Sequence, residues 1–164
     1  MRCLSIILSL FLVVSTSSQE CPDGWRSSEV VSNKCYYVSA QKKIWFDAEE
    51  FCTNAQPNAH LISITSAFEN DNVEAVVIST PSVSVCDQIW IGGKDFVMDG
   101  NFTWTDGRPW IYASWDAGQP DPNQRCVSSM ARTTGQWKTE SCGFENCFIC
   151  EMYRGGSSTE FSRN

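Results

Sequence analysis

Apolar positions recur at helical spacing in one early segment, Lys43 to Ala55 (KIWFDAEEFCTNA). Ile44, Ala48, Phe51, Cys52 and Ala55 fall at i, i+4, i+7, i+8 and i+11, one face of a helix. A second helix is announced by Ser66-Ala-Phe-Glu69, the form of a capping box. Val73, Val76 and Val77 then share one face, and Thr80-Pro81 ends the element. Ahead of both, Cys21 to Val38 (CPDGWRSSEVVSNKCYYV) reads as a hairpin. It has a PDG turn, a β-prone stretch at Val30-Val31, a break at Asn33-Lys34 and a strand at Tyr36-Tyr37-Val38. His60 to Ile64 is a brief strand-like run.

From Cys86 the pattern changes. IWIGG (Ile89 to Gly93), NFTWTDG (Asn101 to Gly107), RCVSSMA and CFICEMY are short aromatic or β-branched runs between Gly, Pro, Asp and Asn. Between Asp106 and Cys126 lies a long stretch of turn residues with no regular period. Loops of that length are usually functional, and Trp110, Tyr112, Trp115 and the nearby cysteines argue that this one is ordered. Helices first and strands afterwards predict an α+β domain. No internal repeat is present.

Composition places that domain outside the cell. Met1-Arg2, the apolar run CLSIILSLFLVV and the small residues STSSQ have the form of a secretory signal peptide, residues 1–19. The run is shorter than the roughly 20 apolar residues a membrane span needs, and no later run approaches that length. Of nine cysteines, Cys3 falls in the leader and eight remain, an even count that in an exported chain implies disulfides rather than zinc. A net charge of −7, or −8 once Arg2 is removed, disfavours nucleic acid and anionic membranes. The polar tail, residues 154–164, closes the chain.

Trp90-Ile-Gly-Gly93, Thr103-Trp-Thr-Asp-Gly107, Trp115-x-x-Gly-Gln-Pro-Asp121, the spaced Cys126 and Cys142, and Cys150-Glu151 together resemble the C-type lectin-like domain. The resemblance runs in order from residue 21 to 153, so the domain is placed at 20–153. It implies a disulfide-stapled α+β double-loop fold: two helices, small antiparallel sheets and a long ligand loop. It also implies the pairs Cys52–Cys150, Cys126–Cys142 and Cys21–Cys35. Cys86 and Cys147 lie outside the common set; a bridge between them is expected, with free thiols or intermolecular bridges as alternatives. The implied partner is an extracellular glycan or protein, and a role in innate immunity follows from family analogy alone.

Calcium-dependent members of that family hold one Ca²⁺ and, through it, two sugar hydroxyls. The ion wants about six to eight oxygens. The resemblance places Gln119 and Asp121 in a galactose-type Gln-Pro-Asp triplet with a proline that is usually cis. The rest of the set is degraded. Gln124 stands where a glutamate is expected, Lys138 and Thr139 stand where Asn and Asp are expected, and Arg125 replaces an acid before Cys126. One carboxylate therefore faces one ammonium. At ~4 Å such a pair is worth about 4 kcal/mol at an effective dielectric of about 20, enough for Lys138 to bridge to Asp121 in place of the ion. No cofactor is expected beyond a weak Ca²⁺ on Gln119 and Asp121.

Trp110 has two readings, a stacking platform for a sugar or a clamp holding the loop on the body. Glu49-Glu50 is expected to be solvated, and His60 has no nucleophile beside it. No triad, phosphate loop or HExxH pattern supports an enzyme. Asn101-Phe-Thr103 is a glycosylation sequon at a turn.

Overall fold

In the computed structural model, residues 20–155 are described. The expected leader, residues 1–19, and tail residues 156–164 lie outside them.

The strand order follows from where the two ends of the domain meet. Strand β2 (Lys34–Lys43) runs antiparallel to the last strand, β8 (Asn146–Tyr153), in a register from Lys34↔Tyr153 to Lys43↔Asn146. Helix α1 (Trp45–Ala55), β3 (His60–Leu61) and helix α2 (Ala67–Ile78) come next. They are followed by a 3-10 turn at Pro81–Val83, then β4 (Ile89–Lys94) and β5 (Thr103–Trp104). After the long loop come β6 (Cys126–Ser129) and β7 (Trp137–Glu140). With β1 (Arg26–Ser27) at one edge, the sheet order is β1-β2-β8-β4-β6-β7, with β3 on β8 and β5 on β4. This is the double-loop arrangement, but its sheets are linked into one mixed sheet because β4 runs parallel to β8.

Period-two alternation sends successive side chains of the central strands to opposite faces. Ile89, Ile91, Cys147 and Ile149 join Val73 and Val77 of α2 and Trp137 in one cluster. Trp90, Phe148 and Cys150 join Trp45, Ala48 and Cys52 of α1 in the other. Each fully buried residue of this kind contributes about 1.5–3 kcal/mol. The bridges Cys21–Cys35, Cys52–Cys150, Cys86–Cys147 and Cys126–Cys142 are all formed, so Cys86 and Cys147 pair with each other.

Three local expectations need correction. The first strand is not Val30-Val31 but Arg26–Ser27, because the Ser28 hydroxyl accepts from the amides of Val30 and Val31 and turns them. The capping box closes one residue early: Ser66 Oγ accepts from Glu69 N, but the Glu69 carboxylate accepts from Thr65 N rather than from Ser66. Glu49 is not simply solvated; it accepts from Leu61 N at 2.7 Å and meets His60 Nδ1 at 2.6 Å, tying α1 to β3.

The most consequential charge is Lys34, which is 1% exposed. Its Nζ donates to Ser63 O at 2.7 Å and to Glu69 Oε1 at 2.6 Å, and it contacts Glu151. Ser63 Oγ lies 3.0 Å from Glu151 and 2.8 Å from Asp106, which begins the long loop. Asp106 in turn meets Arg108, whose guanidinium lies 4.1 Å from the Tyr153 ring centre. Burial opposes the charge on Lys34, but Glu151 and Glu69 outweigh it and hold its pKa above the ordinary lysine value. Two acidic side chains, Glu69 and Glu151, thus meet one buried ammonium, and Asp106 joins them through Ser63. Burial, reinforced by Asp106 and only partly offset by Lys34, pushes Glu151 up to about 8.

This makes a pH prediction. Glu151 binds its proton more tightly in the fold than in the unfolded chain, so stability is full below its ordinary range and declines as pH rises toward about 8. His60, raised first by its hydrogen bond to Glu49, adds a slope of the same sign. In a His60→Asn background, unfolding free energy should fall between about pH 5.5 and about pH 8, by at most ~1.4 kcal/mol per unit. Glu151→Gln should flatten that profile; an unchanged slope would place the proton elsewhere.

Candidate functional site

The long loop rests on tryptophan. Trp137 at the start of β7 lies 5.6 Å from Trp104, 5.9 Å from Trp110, 5.5 Å from Tyr112 and 6.0 Å from Trp115, ring centre to ring centre. Its indole N–H donates to Asn70 Oδ1 of α2 at 2.9 Å. Two backbone bonds fix the loop to the same residue: Trp137 N to Ser114 O and Asp116 N to Trp137 O. Trp110 stacks on Trp104 at 4.2 Å and tilts against Phe102 at 5.4 Å. Gly93 lets it do so, since a Cβ there would come within 3.0 Å of the Trp110 ring. Trp110 is half-buried, with one ring face stacked on Trp104.

Above this floor is the polar edge. The Gln119–Pro120 peptide is cis. Gln119 Oε1 accepts from Thr139 N at 2.9 Å and from Thr139 Oγ1 at 3.0 Å, and Asp121 N approaches it at 3.3 Å. Asp121 N also donates to Thr139 Oγ1 at 2.8 Å. The Asp121 carboxylate accepts from Asn123 N and Asn123 Nδ2. Thr139, 5% exposed, thus sits with its hydroxyl between the Gln119 side chain and the Asp121 backbone and bonds to both.

Strand alternation decides where the neighbouring lysine goes. Trp137 and Thr139 face inward, so Lys138 and Glu140 project together on the other face. Lys138 Nζ pairs with Glu140 at 2.8 Å, not with Asp121 as its charge suggested. Glu140 is further held by Ser128 Oγ at 2.8 Å and Asn146 Nδ2 at 3.0 Å. Gln124 departs too, lining a cleft with Arg125 on the side of α1.

A calcium ion needs convergent oxygens with free lone pairs. Here Gln119 Oε1 already accepts from protein donors, Asp121 is the one acid in the set, position 139 brings only a hydroxyl, and Lys138 turns away to Glu140. The residues do not fit the ion. Among the described residues, no group of three or more His, Cys, Asp or Glu side chains is placed to hold a metal. What the edge offers instead is neutral and anionic hydrogen-bonding capacity: the Gln119 amide N–H groups, the Asp121 carboxylate and Asn123. Asn101 is exposed, with its backbone N–H held by Asp99.

The sequence of this fold matches the C-type lectin domain model over residues 41–152. The chain belongs to the C-type lectin domain family. A lectin of Pleurodeles waltl is 32% identical over 143 residues, covering 85% of this chain and 80% of that protein. The carbohydrate-recognition domain of the mouse scavenger receptor C-type lectin is 33% identical, with a TM-score of 0.68 over 84% of this chain and 99% of that one. A calcium-independent type II antifreeze protein is 28% identical, with a TM-score of 0.70 over 81% and 94%. The C-type lectin fold is thus paired here with an edge whose Gln119 faces a threonine.

If the missing charge is the obstacle to calcium, supplying it should matter. Thr139→Asp adds one carboxylate beside Gln119 and Asp121, and Lys138→Asn removes the cation that pairs with Glu140 on the other face of the strand. Calorimetry should then detect calcium binding at about 10⁻⁴–10⁻³ M. Absence of heat at millimolar calcium would assign the obstacle to the backbone of residues 119–121.

Proposed function

We propose that this C-type lectin domain is a secreted, non-enzymatic binding protein that recognises carbohydrate through its long loop without calcium. The observation that carries this reading is the Thr139 hydroxyl seated between Gln119 and Asp121. It holds the triplet in a fixed shape by neutral hydrogen bonds, where an ion would otherwise do so. Sugar hydroxyls would then bond directly to Gln119, Asp121 and Asn123, with Lys138 at the border. Direct bonds of this kind are individually worth about 0.5–1.5 kcal/mol, or 1.5–3 to a charged group, so a single site binds weakly. Four disulfides in a small domain support an extracellular setting. Exposed Asn101 is proposed to carry an N-linked glycan.

A second reading is calcium-independent recognition of a protein. Ile111, 72% exposed on the long loop, favours it, since an isolated apolar side chain on a rigid loop is a natural interface contact. A glycan array read with calcium and with chelator separates the two. The carbohydrate reading expects captured galactose-type glycans with the same intensity in both conditions. Capture abolished by chelator would contradict the calcium-free site, and no capture at all would favour the protein ligand.

A further inference from the structure

A second cleft adjoins the Gln119–Asp121 edge at Asn123 and extends between the start of α1 and the turn before β8. Its volume is about 390 Å³, and Phe46, Phe96, Asn123, Gln124, Arg125 and Ser141 line it. That size falls within the range of small-ligand sites, about 300–1,000 Å³.

Its apolar wall is displayed by construction. Asp95, 6% exposed, accepts from Met98 N at 2.7 Å and Gly100 N at 2.9 Å, and its own N–H donates to Arg125 O at 2.8 Å. The caged carboxylate folds residues 95–100 into a tight loop with Met98 at φ 61°. Phe96, Val97 and Met98 are thereby turned outward, 41%, 81% and 41% exposed. Three consecutive large apolar residues held in water are a defect in a fold unless something uses them. Phe46, 52% exposed at the first turn of α1, packs beside Phe96 at 5.4 Å, with Trp45 edge-on behind both.

Two cations flank this aromatic pair. Lys94 Nζ lies 5.3 Å from the Phe96 ring centre. Arg125, exposed, donates Nε to Met98 Sδ at 3.0 Å. Among the described residues, no carboxylate lies within ion-pair distance of either one. In a chain of net charge −7, two cations without acidic partners beside exposed phenylalanines are a local inversion. The acid next in sequence, Asp47, lines a different depression with Lys43 and Glu50.

From this combination we infer that the cleft binds a carboxylated sugar, a sialic or uronic acid residue, at a site centred on Arg125 and Phe46 that adjoins the long-loop edge through Asn123. The guanidinium of Arg125 matches a carboxylate in two parallel bonds. Phe46 supplies a flat apolar surface for the C–H face of the ring, and Asn123, Gln124 and Ser141 supply donors and acceptors for hydroxyls. A phenylalanine wall with no charge would select no particular sugar. The added guanidinium selects the acid. The inference does not depend on what the long loop binds.

The test is a titration of the ¹⁵N-labelled chain followed by amide spectra. The probes are the methyl glycosides of N-acetylneuraminic acid and of glucuronic acid, with the methyl ester of each acid and methyl galactoside as neutral controls. The expected result is saturable shifts at Phe46, Phe96, Arg125 and Ser141 with at least one acid, and none at Gln119 or Thr139. Binding should weaken with added salt, and roughly ten-fold or more in Arg125→Gln. Which acid responds identifies the source of the carboxylate. Equal response to acid and ester, response confined to the long loop, no response to either acid, or an unaffected Arg125→Gln would each overturn the inference. Loss of the long-loop carbohydrate reading would leave these outcomes unchanged.

Discussion

Everything in this domain is arranged around one buried ammonium. Lys34 belongs to β2, and its partners come from α2, from the Ser63 segment and from β8. Removing an ion from water costs several kcal/mol, so the cluster adds little net stability. Its effect is on uniqueness. Any other register of β2 against β8 would bury Lys34 without Glu151, and truncating Lys34 itself leaves buried carboxyl groups without their cation, a loss of about 3–5 kcal/mol. The same cluster reaches Asp106, and through Arg108 and Tyr153 it fixes the root of the long loop to the last strand. The core and the long loop therefore share one electrostatic anchor.

On that anchor, the loop is held by rings rather than by an ion. Trp137 collects Trp104, Trp110, Tyr112 and Trp115, and its backbone takes two bonds from the loop. Aromatic pairs of this geometry contribute about 0.5–1.5 kcal/mol each beyond the area they bury. With the loop already ordered, a small group is enough to bond the Gln119 side chain to the Asp121 backbone. Thr139 is that group. The loop keeps its shape, and the calcium-binding chemistry that the triplet implies is absent from the residues around it.

Much of the architecture was legible before the structure. The 3.6-residue period of α1, the valines of α2 and the aromatic strands follow from local pattern, and the resemblance supplied three of the four disulfides, Cys86–Cys147 being the pair left over. What was not legible depends on side chains far apart in sequence. Lys34 looked like part of a hairpin break because Glu69 and Glu151 stand 35 and 117 residues away. Glu49 looked solvated for the same reason, its contact being with β3. At the site, the composition of positions 119, 121, 138 and 139 was read correctly as poor in charge. The direction of Lys138 was not, because strand alternation sends it to Glu140 and leaves Thr139 facing the triplet. The packing of Trp110 on Gly93 and Trp104 was likewise invisible in the local pattern.

The central claim is that threonine, not calcium, completes the Gln119–Asp121 edge. Its most direct test is a calcium titration of the unmodified chain, observed at the backbone amides of Asp121 and Thr139 and the side-chain amide of Gln119. Those signals should stay in place up to about 10 mM calcium, well above the range in which extracellular sites fill. A saturable shift of all of them, with half-saturation at or below about 1 mM, would contradict the claim.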